Sequence, residues 1–271
     1  MVLTATAGAM DAGRPGLGAL IGRAPWVWRL VSLAMVCLLW EYGGRSNFNW
    51  AFPSFLETLA GLREMVADGS LGRAYLRTLE PLALGLVLSV AVGMGAGVAM
   101  GLRREAEWFV LPLFVTAQAA PMAALIPLVT FVYGIGLASK VLAVMILATP
   151  VIAINSYKAV RNVPPSLTAM SRSFMGSRLQ TVIKVVLPAA SPMMFAGLRL
   201  GVAEGFSGVV LAELLITPTG IGDLITYHRS IANFGHMYAV ILSILVFAVV
   251  TVGMLRRLEI VLFRPEKRSE A

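Results

Sequence analysis

Apolar residues gather into six runs along the chain, at about 26–42, 80–101, 108–132, 139–157, 192–215 and 237–255. A bilayer core about 30 Å thick takes roughly 20 helical residues to cross. The pattern therefore predicts an all-α, polytopic transmembrane bundle of six spans. A break closes each run: "EYGGRSN" after the first, then "GLRRE", "YGIG", "RNVPP", "TPTGIG" and "RRLE". The first run carries Arg29 near its start and lacks a small-residue cleavage site behind it, so it reads as a retained helix. Gly85, Gly93, Gly95, Gly97 and Gly101 space the second run at intervals that let helices approach closely.

Between the first two runs the period changes. Phe55, Leu59, Leu62 and Val66 recur every three or four residues, opposite Glu57, Arg63, Glu64 and Asp68. That predicts an amphipathic helix at the membrane surface, too polar to span.

Composition agrees with the runs. The 271 residues are 58% hydrophobic and 13% charged, where soluble domains carry about 25% charge. Mean hydropathy is +0.82. The net charge of +8 could suggest nucleic acid, but its placement argues otherwise. With the N-terminus inside, fifteen of the 22 lysines and arginines fall on the cytoplasmic side and six outside. This asymmetry predicts N-in/C-in orientation and accounts for the charge without a nucleic-acid partner. The expected organisation is a cytoplasmic tail (1–25), a first span with a periplasmic amphipathic segment (26–79), a core (80–257) and a cytoplasmic tail (258–271). Cys37 is the single cysteine and reads as a small buried hydrophobe.

The inside loop at 158–191 is the longest. It holds Lys158, Arg161, Arg172, Arg178 and Lys184 and no acidic residue. Pro164 and Pro165 stop the fourth helix. Leu167, Met170, Phe174, Leu179, Val182 and Val186 then form an apolar stripe, with Ser171, Arg172, Ser177, Arg178, Thr181 and Lys184 on the other side. Pro188 is expected to end that stripe, and the fifth span to begin near Pro192. Such a helix either lies on anionic membrane lipid or docks a cytoplasmic partner. The tight bracketing by prolines favours docking.

The stretch "AMSRSFMGSRLQTVIKVVLPAASP" resembles the loop of ABC-importer permeases. That pattern runs Glu-Ala-Ala, three residues, Gly, about nine residues, then an apolar pair and Leu-Pro. Counting back from "VVLP" sets the motif Glu on Ala169, its alanines on Met170 and Ser171, and its Gly on Met175, with Gly176 one place later. "LPLFVTAQAAPMAALIPLVTFVYGIGLASKVLAV", "GLRLGVAEGFSGVVLAELL" and "GIGDLI" follow in the same order as in the family. They look most like its sulfonate, taurine and nitrate branch, over about 50–260.

The resemblance implies a type I importer permease that pairs with a second copy. A coupling helix at about 166–178 would dock a cytoplasmic ATPase through Ala169, Met170, Ser171, Arg172, Phe174, Met175, Gly176, Ser177 and Arg178. A periplasmic or lipid-anchored binding protein would deliver the solute. The chain lacks a GxxxxGK[ST] loop, so ATP belongs to the partner and no cofactor is expected here.

Gln118, Glu204 and Glu213 are polar groups inside apolar runs and are candidates for the translocation path or for interhelical pairing. Arg199 lies five residues before Glu204, about 140° around a helix, a poor position for an ion pair. Glu213, near the end of its span, is expected to be the more exposed glutamate. His228, His236 and Asp223 match no standard metal spacing. Neither H-E-x-x-H nor G-x-S-x-G occurs, so no catalytic residue is expected. An ion-gradient-driven secondary transporter is the alternative to the ATP-driven importer.

Overall fold

Helices in lipid gain little from hiding apolar side chains from one another, so close packing has to come from backbone approach. This constraint organises the bundle. The computed structural model describes residues 25–46, 49–216 and 219–263, and the tail positions 1–24 and 264–271 lie outside the described residues. The helices are α1 (Pro25–Arg45), α2 (Phe55–Ala67), α3 (Ser70–Leu102), α4 (Arg104–Ala119), α5 (Met122–Tyr133), α6 (Leu137–Arg161), α7 (Pro165–Ser173), α8 (Arg178–Thr181), α9 (Leu187–Leu215), α10 (Ile221–Ser230) and α11 (Phe234–Phe263). A π-helical turn, Val182–Val186, joins α8 to α9.

Two compact units divide the chain, residues 1–57 and 58–271. In the first, Trp40 of α1 donates to the Pro53 carbonyl at 3.1 Å. Its ring stacks on Phe52 and meets Phe55 edge-on. Ser54 and Glu57 form a reciprocal cap that starts α2: the Ser54 N–H donates to Glu57 and the Glu57 N–H to the Ser54 hydroxyl.

In the second unit α6 is central. Its residues Ala143, Val144, Ala148, Ile152, Ala153 and Val160 are buried on several sides. Glycines of α3 press on one flank, where a Cβ on Gly97 would stand 2.5 Å from the Ala153 carbonyl oxygen. Glycines of α9 press on another, where a Cβ on Gly201 would stand 2.3 Å from Ile152 Cγ1. Apolar clusters run through the bundle from end to end, a smaller one of Ile126, Ala143 and Ala212 joining α5 to α6 and α9. Met65, Leu71, Ala74 and Ile221 pack at the α10 end, Leu82, Val144, Phe206 and Val209 in the middle, and Ala159, Val160, Val186 and Met194 at the α7 end.

The structure revises several expectations. Among the described residues four helices are long and apolar enough to cross a membrane: α3, α6, the continuous Arg178–Leu215 helix and α11. A fifth span results if α4 and α5 count as one. That pair replaces the expected straight run at 108–132. The chain bends there by 109°, since Pro121 both lacks a donor and pushes Ala120 into extended backbone. The helix α1 covers the expected first span but is not among the four, because Arg29 and Glu41 dilute it.

Pro188 and Pro192 do not stop a helix. The π turn widens the coil ahead of Pro188, with the Leu187 N–H reaching back five residues to Val182, so the ring enters without its usual clash. The expected cytoplasmic tail at 258–271 is helical as far as Phe263. In α2 the buried face is Thr58, Gly61 and Met65, while Leu59 and Val66 are exposed. Gly61 turns the helix by letting its backbone rest on Gly235 and His236.

The packing makes a contrast between neighbours in α3. A Cβ on Gly95 meets nothing within 4 Å, whereas one on Gly97 meets backbone. Gly97→Leu should therefore destabilise the detergent-solubilised protein by about 1–3 kcal/mol, and Gly95→Ala should hold or raise the melting temperature. Equal effects from the two changes would show that backbone approach is not what joins α3 to α6.

Candidate functional site

Two arrangements stand out, one at each end of the bundle. The first is the loop between α6 and α9. Pro164 and Pro165 start α7, proline being suited to a first helical turn. The helix ends in a two-bond cap: the Met175 N–H donates to Arg172 O and the Gly176 N–H to Ser171 O, each at 2.9 Å. This cap puts Met175 at φ 55°, a conformation that costs a residue with a side chain roughly 1–2 kcal/mol. Gly176 fits where a Cβ would stand 2.7 Å from Ser171 Oγ. A new helix begins at once. Ser177 accepts from the Gln180 N–H while the Gln180 side chain accepts from the Ser177 N–H. The Ser171 and Thr181 hydroxyls, 2.8 Å apart, tie the two limbs together.

The expected single helix at 166–178 is therefore two limbs around a tight corner. The signal overlooked in the sequence is "SRLQ", a serine followed three residues later by glutamine, which marks a helix start. Seven of the nine expected docking residues are exposed: Ala169, Met170, Arg172, Phe174, Met175, Ser177 and Arg178. Ser171 is buried and Gly176 half-buried. Phe174 and Met175 at the corner are 80% and 93% exposed. With Met170, Leu179 and Ile183 they form an apolar tip, flanked by Arg172, Arg178 and Lys184.

The second arrangement is a buried charge cluster that sequence reasoning did not assemble. Glu213 of α9 is 2% exposed and Lys140 of α6 is 4% exposed, and Lys140 Nζ donates to Glu213 Oε1 at 2.9 Å. The same ammonium donates to Thr219 Oγ1 at 2.7 Å and the Thr219 carbonyl at 3.3 Å, which occupies its three protons. Glu213 Oε2 accepts from the Thr78 hydroxyl of α3 at 2.9 Å and from the Gly222 N–H at 3.1 Å. The Ile221 N–H donates to Thr78 Oγ1 at 3.0 Å. The carboxylate thus sits on the first turn of α10, where free backbone N–H groups favour negative charge. Gly220, at φ 87°, passes so close that a Cβ would fall 2.2 Å from Glu213 Oε1.

The two glutamates are the reverse of expectation. Glu213 is locked inside, and Glu204, nine residues earlier, is exposed. Nine residues place them half a turn apart, so they face opposite sides of α9. Arg199 pairs with Glu259 of α11 at 3.0 Å, not with Glu204. Gln118 is exposed near the end of α4. The structure does not bring Gln118, Glu204 and Glu213 together. Lys140 lies in the first turn of α6, at the start of the expected run 139–157.

Three smaller contacts lie outside these two arrangements. Tyr157 of α6 donates to Glu107 of α4 at 2.7 Å. His228 and His236 stack with centroids 5.0 Å apart, and His236 Nε2 lies 3.1 Å from Glu64. Burial pushes the His228 imidazole below its ordinary value, and the charge of His236 adds to this while Asp68 opposes it. Among the described residues no three His, Cys, Asp or Glu side chains converge to hold a metal.

Residues 85–260 match the sequence profile of the family described as "Binding-protein-dependent transport system inner membrane component". A protein named for aliphatic sulfonate transport in Bacillus subtilis, SsuC, is 26% identical over 84% of this chain and 82% of its own. The taurine transport system permease TauC of Escherichia coli is 29% identical over 72% of this chain and 70% of its own. Among solved structures, the methionine ABC transporter MetNI in an inward-facing form aligns with TM-score 0.59 and 21% identity, over 72% of this chain and 94% of that one. That level of identity speaks to the fold.

The buried cluster predicts a coupled pair. Lys140→Met or Glu213→Gln alone strands the partner's charge or hydrogen bonds and should cost about 3–5 kcal/mol. The double variant should lose clearly less than the sum, read by chemical unfolding in detergent. Additive losses would mean that the two side chains do not act as a unit.

Proposed function

From the premise that the chain belongs to the family of inner membrane components of binding-protein-dependent transport systems, we propose that it is the permease of an ATP-driven importer for a small solute such as a sulfonate, taurine or nitrate. The observation that carries this reading is the exposed apolar tip at Phe174 and Met175. It stands at a corner held by a two-bond cap, a reciprocal serine–glutamine cap and the Ser171–Thr181 contact. Exposed apolar side chains on a rigid corner suit a protein groove, and the flanking arginines suit its rim.

The partner in this reading is a cytoplasmic ATPase, which carries the P-loop absent here. The permease is no enzyme, binds no cofactor, and pairs with a second copy so that two corners meet two ATPases. A binding protein delivers solute at the opposite face. ATP binding draws the ATPases together, the corners follow, and the spanning helices exchange access between the two sides.

Permease, ATPase and binding protein reconstituted together should take up solute only with ATP on the ATPase side, and collapsing ion gradients should leave uptake intact. Uptake without any ATPase, driven by an ion gradient, would favour the secondary-transporter alternative.

Phe174→Asp should weaken ATPase retention by about 2 kcal/mol or more, roughly thirty-fold, with membrane insertion unchanged. Normal retention would mean that the tip faces lipid.

A further inference from the structure

Glu204 has no place in the packing described above. Among the described residues at 81–102 of α3, 137–157 of α6, 188–215 of α9 and 237–255 of α11, the exposed polar side chains are Glu204 and its neighbour Ser207. The other exposed positions there are apolar or small, as lipid requires. Glu204 forms no hydrogen bond or ion pair with any described residue.

Its depth can be read from its neighbours. Gly201 and Gly205, which flank Glu204, both approach Ala148 of α6 to 3.4 Å as measured from an added Cβ. Ala148 lies eight residues after Lys140 and ten before Lys158, about 12 and 15 Å along the helix. Glu204 is therefore near mid-membrane. A carboxylate facing hydrocarbon at that depth is costly, and such residues instead face water, a partner or a pathway. Leu200, Glu204, Ser207 and Leu211 share one face of α9 by spacing. Ala203 and Ser207 also border a cavity of about 680 Å³ lined mainly by apolar side chains of α3, α9 and α11.

We propose that this face of α9 lines the solute path, and that Glu204 selects for solutes bearing a cationic or strongly hydrogen-bond-donating group beside a small apolar body. The proposal rests on the permease reading above and names its substrate class. A bare anion such as nitrate meets like charge at mid-path, whereas an amine-bearing zwitterion presents a partner to the carboxylate.

The test needs no knowledge of the solute. Cys37 is the only native cysteine, so Ser207→Cys in a Cys37→Ser background offers one thiol beside Glu204, and Leu200→Cys offers a second on the same face. The permease–ATPase complex in proteoliposomes is treated with a cationic thiosulfonate (ethyltrimethylammonium) or an anionic one (ethylsulfonate), each normalised to its rate with a free thiol. The cationic reagent should react faster, on the order of ten-fold. Glu204→Gln should bring the ratio close to one, and Glu204→Asp should keep it.

Thiols unreactive to both reagents would place the face against lipid or protein and overturn the proposal. A ratio indifferent to Glu204→Gln would do the same. ATP hydrolysis and its stimulation by the binding protein, measured on the same vesicles, report separately on the permease reading. Unreactive thiols with intact hydrolysis sink the path assignment alone, and a chain that retains no ATPase sinks the reading beneath it.

Discussion

The bundle depends on how closely two glycine-lined helices approach α6. In a bilayer the hydrophobic effect does not drive helix against helix, so contact has to come from shape. Gly85, Gly93, Gly97 and Gly101 of α3 meet one side of α6, and Gly197, Gly201, Gly205 and Gly208 of α9 meet another. With its neighbours at backbone distance, α6 has little room to tilt or slide. It behaves as a fixed post from which the other elements take their positions. Its proline and polar residues are tolerated because it is enclosed: Pro150 is buried mid-helix, and the Asn155 amide bonds back to Val151.

The same enclosure makes the Lys140–Glu213 cluster stable as a unit. Two buried charges are expensive alone, yet here every proton of the ammonium has an acceptor and both carboxylate oxygens have donors. The cluster joins α3, α6, α9 and the start of α10 at one point. Glycine-lined packing fixes the helices sideways, and the cluster fixes their register at the α10 end.

Much of this was legible in the sequence, and the losses have physical causes. Apolar runs gave the existence of the long helices because their period is a property of the chain itself. Helix ends were harder. Pro188 reads as a stop, but the π turn before it removes the clash that would have made it one. Pro121 reads as tolerated within a span and proves to be the break. Local identity is the same in both cases, and the difference lies in what the preceding turn does. The cluster is half visible: Glu213 stands out as a carboxylate in an apolar run, while Lys140 and Thr78 carry no local signal that they meet it. A buried ion pair joins residues 73 apart, which spacing rules cannot see. The rule that a lysine and a glutamate deep in apolar runs need each other would have suggested it. The expected docking residues rest on the resemblance, while the corner that exposes most of them is written in "SRLQ", a helix-start signal inside the same stretch.

Arg178–Leu215 is a single helical path of 38 residues, about 57 Å long. Its first turn belongs to the exposed corner, its middle carries Glu204, and its far end carries Glu213 in the cluster. A push at the corner therefore acts on a lever whose far end is pinned by three donors on Glu213, from Lys140, Thr78 and Gly222, and whose middle lies against α6. A straight α-helix would pass that push to the pinned end. The π turn at Val182–Val186 is the place where the ladder is already widened and Pro188 supplies no donor. Bending is least costly there, because fewer regular bonds must be distorted. In the proposed importer the corner can then move with the ATPase while the α10 end stays fixed, and the difference between the two ends falls on the face of α9 between them. Glu204 occupies that face, so the segment of the helix that must respond most is the one that carries its only unpaired charge at membrane depth.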